Sequence, residues 1–89
     1  MHKGANRMEI EETIRDFIHR EFLPEESPEA LQNSTPLISS GILDSIAAAR
    51  LVSFLETHFD IRFKASEIGV QRMDTIDLIA DTVDSKIQR

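Results

Sequence analysis

The sequence has no cysteine among its 89 residues. That excludes disulfides, thiolate catalysis and any metal site built on thiolates. Long apolar runs are also missing: no stretch approaches the roughly 20 residues that span a bilayer. The opening "MHKGANR" lacks the apolar region of a signal peptide, so the expected location is the cytoplasm. Positive charge is scarce. Ten Lys and Arg stand against 16 Asp and Glu, a formal net charge of -6, and this argues against nucleic acid as a partner, because phosphate backbones require clustered basic residues. No Gly-rich elbow is present to present a hydrolytic nucleophile. His2, His19 and His58 are scattered over separate segments without metal-ligand spacing. Neither a catalytic nor a metal site is expected, and there is no internal repeat or low-complexity segment.

What is present reads as a small helical protein. Hydrophobic residues at 40% and charged residues at 29% suit a globular chain, and the length suits a single domain over residues 1–89, with residues 1–6 as a flexible leader. Asn6 and Glu9 have the spacing of a capping pair. Ile10, Ile14, Phe17 and Ile18 follow at helical spacing, which predicts a first helix over about 7–22. Pro24, Pro28 and Pro36 then punctuate a loop of about twenty residues, long enough to be functional. A helical turn fits around Glu29 to Gln32. Leu31, Leu37, Ile38, Ile42 and Leu43 are the apolar anchors available to pin the loop to a core.

A second helix is predicted from about Asp44 to Phe59, with Asp44 as its N-cap and Ala48, Leu51, Val52, Leu55 and Phe59 on one face. Ile61 and Phe63 alternate with polar neighbours, a weak strand signal, and a short helix at about Ala65 to Gly69 fits better. Asp74 is expected to cap a last helix over about 75–88, whose stripe is Ile76, Ile79, Ala80, Val83 and Ile87. The fold class is therefore all-α: a small four-helix bundle of three long helices and one short, with a long loop between helices one and two.

The stretch "SSGILDSIAAAR", Ser39 to Arg50, is the candidate site. By itself Asp-Ser at a helix start is an ordinary capping sequence. The position nevertheless has particular chemistry. A helix N-terminus presents free N–H groups and the positive end of the macrodipole, a favourable place for a covalently attached phosphate.

"LISSGILDSIAAARLVSFLETHFDIRFKASEI" resembles the phosphopantetheine-binding carrier proteins, the acyl carrier proteins and the related peptidyl and aminoacyl carriers. The signature Asp-Ser-aliphatic is matched by Asp44, Ser45 and Ile46. Leu37, Ile38, Gly41, Ile42 and Leu43 match the approach to it, "LVSFLETHFDI" matches the helix and turn behind it, and Thr75-Ile76 matches the start of the last helix. The resemblance runs from about residue 8 to residue 87 and includes the order of elements. It implies that Ser45 is the attachment point of 4′-phosphopantetheine. A separate phosphopantetheinyl transferase joins the Ser45 hydroxyl to the phosphopantetheine of coenzyme A. The arm's thiol then carries acyl or aminoacyl groups as thioesters. Asp44 caps the helix and presents the serine, Ile46 is the apolar contact beside the arm, and the chain catalyses nothing. The implied partners are the transferase, an acyl- or aminoacyl-loading ligase and acyl-acceptor enzymes, acting on a monomer.

The chain departs from the fatty-acid synthase carriers of that family, whose second helix is strongly acidic. Here Ala47, Ala48, Ala49 and Arg50 follow Ser45, and the acids gather in helix one and its exit (Glu9, Glu11, Glu12, Asp16, Glu21, Glu25, Glu26) and at the last helix (Asp74, Asp77, Asp81, Asp84). A small, less charged face favours a dedicated partner recognised by shape. Fatty acid biosynthesis and other lipid metabolism, polyketide and aminoacyl pathways remain open, and a specialised one is favoured. The competing reading is an unmodified helical protein–protein interaction domain in which Ser45 only caps a helix.

Overall fold

A computed structural model describes residues 6–87. Residues 1–5 of the expected leader and Gln88, the expected end of the last helix, lie outside the described residues. Among the described residues four α-helices occur in the order α1 (Arg7–Phe22), α2 (Ser45–Phe59), α3 (Val70–Met73) and α4 (Ile76–Ile87), with single 3₁₀ turns at Pro28–Ala30 and Ala65–Glu67. No strand forms among the described residues. The architecture is the all-α bundle that the hydrophobic spacing predicts.

Local chemistry sets the helix starts. The Asn6 side chain accepts the Glu9 N–H at 2.8 Å, and Glu9 Oε1 accepts the Asn6 N–H at 3.3 Å. This reciprocal pair satisfies two donors that α1 cannot satisfy itself. Asp44 caps α2 with a single bond, its Oδ1 accepting the Ala47 N–H at 2.8 Å. α2 ends at Asp60, which adopts the left-handed conformation at φ 57°, ψ 53°. The chain then folds back on Glu56, whose carboxylate accepts the Phe63 N–H at 2.8 Å.

α1 lies along α4, and α2 packs against both. The buried stripe of α1 is Ile10, Ile14, Phe17 and Ile18; that of α2 is Ala47, Ala48, Leu51, Val52 and Leu55; that of α4 includes Ile76, Ile79, Ala80 and Val83. Each fully buried Leu or Ile contributes about 1.5–3 kcal/mol of transfer free energy. Phe59 and Ile87, expected on these stripes, pack half-buried at the margin.

The long loop, residues 23–44, is part of the core rather than a tether. Leu31, Leu37 and Leu43 are buried at 2%, 0% and 1% exposure. Ile38 and Ile42 pack half-buried against them. Polar contacts fix the loop as well. Arg15 Nε donates to the Leu31 carbonyl at 2.9 Å and its guanidinium to the Asn33 side chain, whose Nδ2 donates to Glu11 at 3.0 Å. The Asn33 carbonyl accepts the Asp77 N–H at 3.1 Å, which ties the loop to the first turn of α4.

Two expectations are corrected. The short helix expected at 65–69 divides into the 3₁₀ turn Ala65–Glu67 and α3, because Ile68 is extended (φ -104°, ψ 106°) and Gly69 restarts the helix. Asp74 does not cap α4. Thr75 does, its hydroxyl accepting the Leu78 N–H at 3.1 Å and its carbonyl the Ile79 N–H at 3.0 Å. The carboxylate of Asp74 points instead to the loop before α2.

Candidate functional site

Of the three serines in "SSGILDS", two have committed hydroxyls. Ser39 Oγ donates to Asp74 Oδ2 at 2.8 Å, and Ser40 Oγ donates to the Pro36 carbonyl at 2.6 Å. The hydroxyl of Ser45 makes no hydrogen bond among the described residues, and the side chain is exposed. It is the first residue of α2. Its own N–H and that of Ile46 lie in the first turn, where a helix has no internal acceptors. Asp44, not Ser45, performs the capping, so a role for Ser45 confined to capping does not match the geometry.

Ser45 stands between two open clefts. On one side Ile38, Gly41 and Leu43 of the loop face Ile68 and Gly69 across about 500 Å³. Gly41 holds φ +89°, a backbone state that only glycine adopts without strain, and this turns the loop into the cleft wall. On the other side a groove of about 570 Å³ is lined by Phe17, Ile46, Ala49, Arg50, Ser53 and Phe54. Ile46 is 73% exposed, and Ile68, on the wall of the first cleft, is 42% exposed. Exposed apolar side chains thus flank the free hydroxyl on both sides. Another cavity, about 750 Å³ between α1 and residues 29–34, does not include Ser45 and is bordered by Glu12, Asp16, Glu29 and Asp77.

The face beside Ser45 differs from the alanine-rich surface expected. Ala47 and Ala48 are buried. Ile46, Ala49, Arg50 and Ser53 are what α2 presents. Arg50 is paired with Glu21 at 2.8 Å and lies 5.4 Å over the Phe22 ring. The acids of α1 and α4 are partly neutralised by Arg7, which reaches Glu11 at 2.8 Å and Asp81 at 2.6 Å. These carboxylates raise the pKa of Arg7, Asp81 most.

No side chain among the described residues makes a hydrogen bond to the Ser45 hydroxyl. Asp44 Oδ1 is engaged by Ala47 N–H. His19 contacts the Glu26 carbonyl through Nε2, and the His58 ring packs between Phe54 and Phe59. No group of three or more His, Asp or Glu among the described residues is placed to hold a metal ion. Among the described residues the hydroxyl therefore has no base of its own beside it. An exposed, unpartnered serine on a helix N-terminus fits a covalently attached phosphodiester, since the first-turn N–H groups and the macrodipole favour a negative charge there.

Residues 9–83 match the family described as "Phosphopantetheine attachment site". The chain belongs to that family. It is a carrier protein, not an enzyme, and its cofactor is a covalently attached 4′-phosphopantetheine. As a carrier protein it works with a phosphopantetheinyl transferase and with ligases that load the arm. No helix among the described residues of this carrier is long and apolar enough to cross a membrane. Similar proteins include the "D-alanyl carrier protein" of Streptococcus pyogenes serotype M5 (strain Manfredo), serotype M49 (strain NZ131) and serotype M1. Each is 32% identical over 77 residues, covering 86% of this chain and 94% of the relative.

Sequence reasoning placed Asp44, Ser45 and Ile46 where the fold brings them together. It assigned Asp74 to the cap of the last helix and Ile68 and Gly69 to a short helix, and placed none of the three beside the loop before Ser45. The doublet Asp74-Thr75 carried a signal, because two adjacent capping residues cannot both cap one helix, so one of them is available for another partner.

Proposed function

We propose that Ser45 carries the phosphopantetheine arm and that the cargo is an aminoacyl group held as a thioester on the arm's thiol. The observation that carries this reading is the Ser45 hydroxyl: exposed, without a partner, in the first turn of a helix already capped by Asp44. In the attachment step the Ser45 oxygen bonds to the β-phosphorus of coenzyme A, the bond from that phosphorus to the adenosine 3′,5′-bisphosphate portion breaks, and the hydroxyl proton passes to a base of the transferase. The chain's own part is positional. Asp44 fixes the helix start, the first-turn N–H groups face the new anion, and Ile46 supplies apolar contact beside it. When bound, the arm supplies the thiol that this cysteine-free chain lacks.

The aminoacyl cargo is supported by the likeness to D-alanyl carrier proteins over nearly their whole length and by an α2 face without the acidic run of fatty-acid carriers. Residues 1–89 act as one carrier domain in this reading, monomeric and cytoplasmic. The dedicated partner docks on Ile46, Ala49 and the cleft edge at Ile68.

Intact mass tests the attachment. The parent chain, incubated with coenzyme A and a broad-specificity phosphopantetheinyl transferase, gains one phosphopantetheine, and Ser45→Ala gains none. A gain that persists in Ser45→Ala moves the site to another serine. Intact mass of the chain isolated from its own cells tests the cargo. Aminoacyl increments are expected on the arm, and long-chain acyl increments in their place would overturn that assignment.

A further inference from the structure

The carboxylate of Asp74 gathers three consecutive backbone donors of the distant loop. Its Oδ1 accepts the N–H of Ile38 and of Ser39 at 2.8 Å each and that of Leu37 at 3.2 Å. Its Oδ2 accepts the Ser39 hydroxyl at 2.8 Å, and its backbone carbonyl accepts the Leu37 N–H at 2.6 Å. This is how a side chain caps the first turn of a helix, but the cap here comes from another part of the chain. The turn it caps closes on itself: Gly41 N–H donates to the Ile38 carbonyl at 3.1 Å and Leu43 N–H to the Leu37 carbonyl at 2.9 Å. Leu43 leads directly into the Asp44 cap and Ser45.

Asp74 also terminates α3, directly after Met73, which is buried at 0% exposure. Gly69 at the start of α3 and Ile68 before it form the wall opposite Ile38, Gly41 and Leu43 in the cleft at Ser45. One residue therefore joins the two walls. Ile38 is itself among the residues whose N–H it holds.

We infer that Asp74 is a positioning residue for attachment of the arm: by tying the loop before Ser45 to α3, it holds the cleft at Ser45 open and ordered before the transferase arrives. The inference rests on Ser45 being the attachment site. Without Asp74, three loop N–H groups lose their side-chain acceptor, and the loop must be ordered during docking. That cost falls on formation of the complex and so on KM, not on the chemical step.

The test is the initial rate of phosphopantetheine transfer from coenzyme A as the concentration of the chain is varied, below the unfolding temperature of every variant. Asp74→Ala is expected to raise KM about tenfold and to leave kcat within about twofold. Ser39→Ala, which removes only one of these bonds and keeps the fold if Asp74→Ala does not, is expected to raise KM about threefold. Asp74→Asn retains an amide oxygen for the loop donors and recovers most of the affinity. Ile79→Val, a core change in α4 away from the loop, lowers stability and leaves both constants unchanged. The role of Asp74 is overturned if Asp74→Ala and Ser39→Ala keep the parent's KM, or if Ile79→Val raises KM as much. A parent that accepts no arm overturns the assignment of Ser45 and this role with it, so the two failures are told apart by the parent alone.

Discussion

Asp74 and Ser39 are joined twice: the carboxylate of Asp74 accepts the Ser39 backbone N–H at 2.8 Å and the Ser39 hydroxyl at 2.8 Å. The pairing commits one serine of the loop to structure and fixes the path of the chain toward Ser45, whose hydroxyl is left without a partner. It also has electrostatic consequences. Hydrogen bonds to the ionised carboxylate favour that form, so Asp74 titrates below its ordinary value of 3.8; the Ser39 N–H is the main cause, followed by the Ser39 hydroxyl and the Ile38 and Leu37 N–H groups.

A depressed pKa in the folded state means that ionised Asp74 stabilises the fold. That contribution is complete above the ordinary carboxylate value and is lost as pH falls through the lower value of the folded state. Thermal melts followed by circular dichroism between about pH 6 and about pH 2 will show it. The gap in Tm between the parent and Asp74→Asn is expected to be widest near neutrality and to close in acid. Glu67, also depressed, through the Lys64 N–H and then Lys86, keeps part of the acid transition in the variant. A gap that is constant with pH would contradict this account.

Asp44→Ala removes the side-chain cap of α2 and is expected to cost about 1 kcal/mol. Asp44→Asn, which keeps an acceptor at the same place, should lose only a fraction of that. Urea unfolding of the three proteins decides it, and equal midpoints for parent and Asp44→Ala would show that the 2.8 Å bond to Ala47 N–H contributes nothing.

Ile46 and Leu51 lie five residues apart in α2 and should behave in opposite ways. Leu51 is buried at 0% exposure, so Leu51→Ala leaves a cavity and costs about 2–5 kcal/mol. Ile46 is 73% exposed, so Ile46→Ala should stay within about 0.5 kcal/mol of the parent. If Ile46 contacts the partner, Ile46→Ala still slows arm attachment at unchanged stability. Denaturation and transfer rates measured on the same samples separate the two effects.

Asp60 holds φ 57° at the end of α2, where a side chain has a steric cost that glycine does not. Asp60→Gly is expected to stabilise the fold by about 0.5 kcal/mol, read as a higher urea midpoint at unchanged slope. A lower midpoint would mean that unfolded-state entropy outweighs the relief.

The sequence by itself determined the helices that carry their own signals. Asn6 with Glu9 and Asp44 with Ala47 act within three residues, so their roles follow from local spacing, and the apolar periods of α1, α2 and α4 name their buried faces. The loop anchors Leu31, Leu37 and Leu43 were legible because they are among the large aliphatic residues of a loop otherwise rich in Pro, Ser and Glu, and each is buried at 2% exposure or less. The motif Asp44-Ser45-Ile46 was legible because its elements are consecutive.

Tertiary structure alone decided what is remote in the chain. Asp74 and Thr75 are both good caps by residue type; only packing of the loop against the α3–α4 junction assigned Thr75 to the helix and Asp74 to Leu37, Ile38 and Ser39. The break at Ile68 and Gly69 has the same origin, since four to five residues contain too little periodicity to mark a helix boundary. Which serine keeps a free hydroxyl was also a tertiary matter: Ser39 became committed because Asp74 lies 35 residues away in sequence and 2.8 Å away in space. A hydrogen bond over such a separation leaves no period or spacing in the sequence, and it exists only once the core has brought its two ends together.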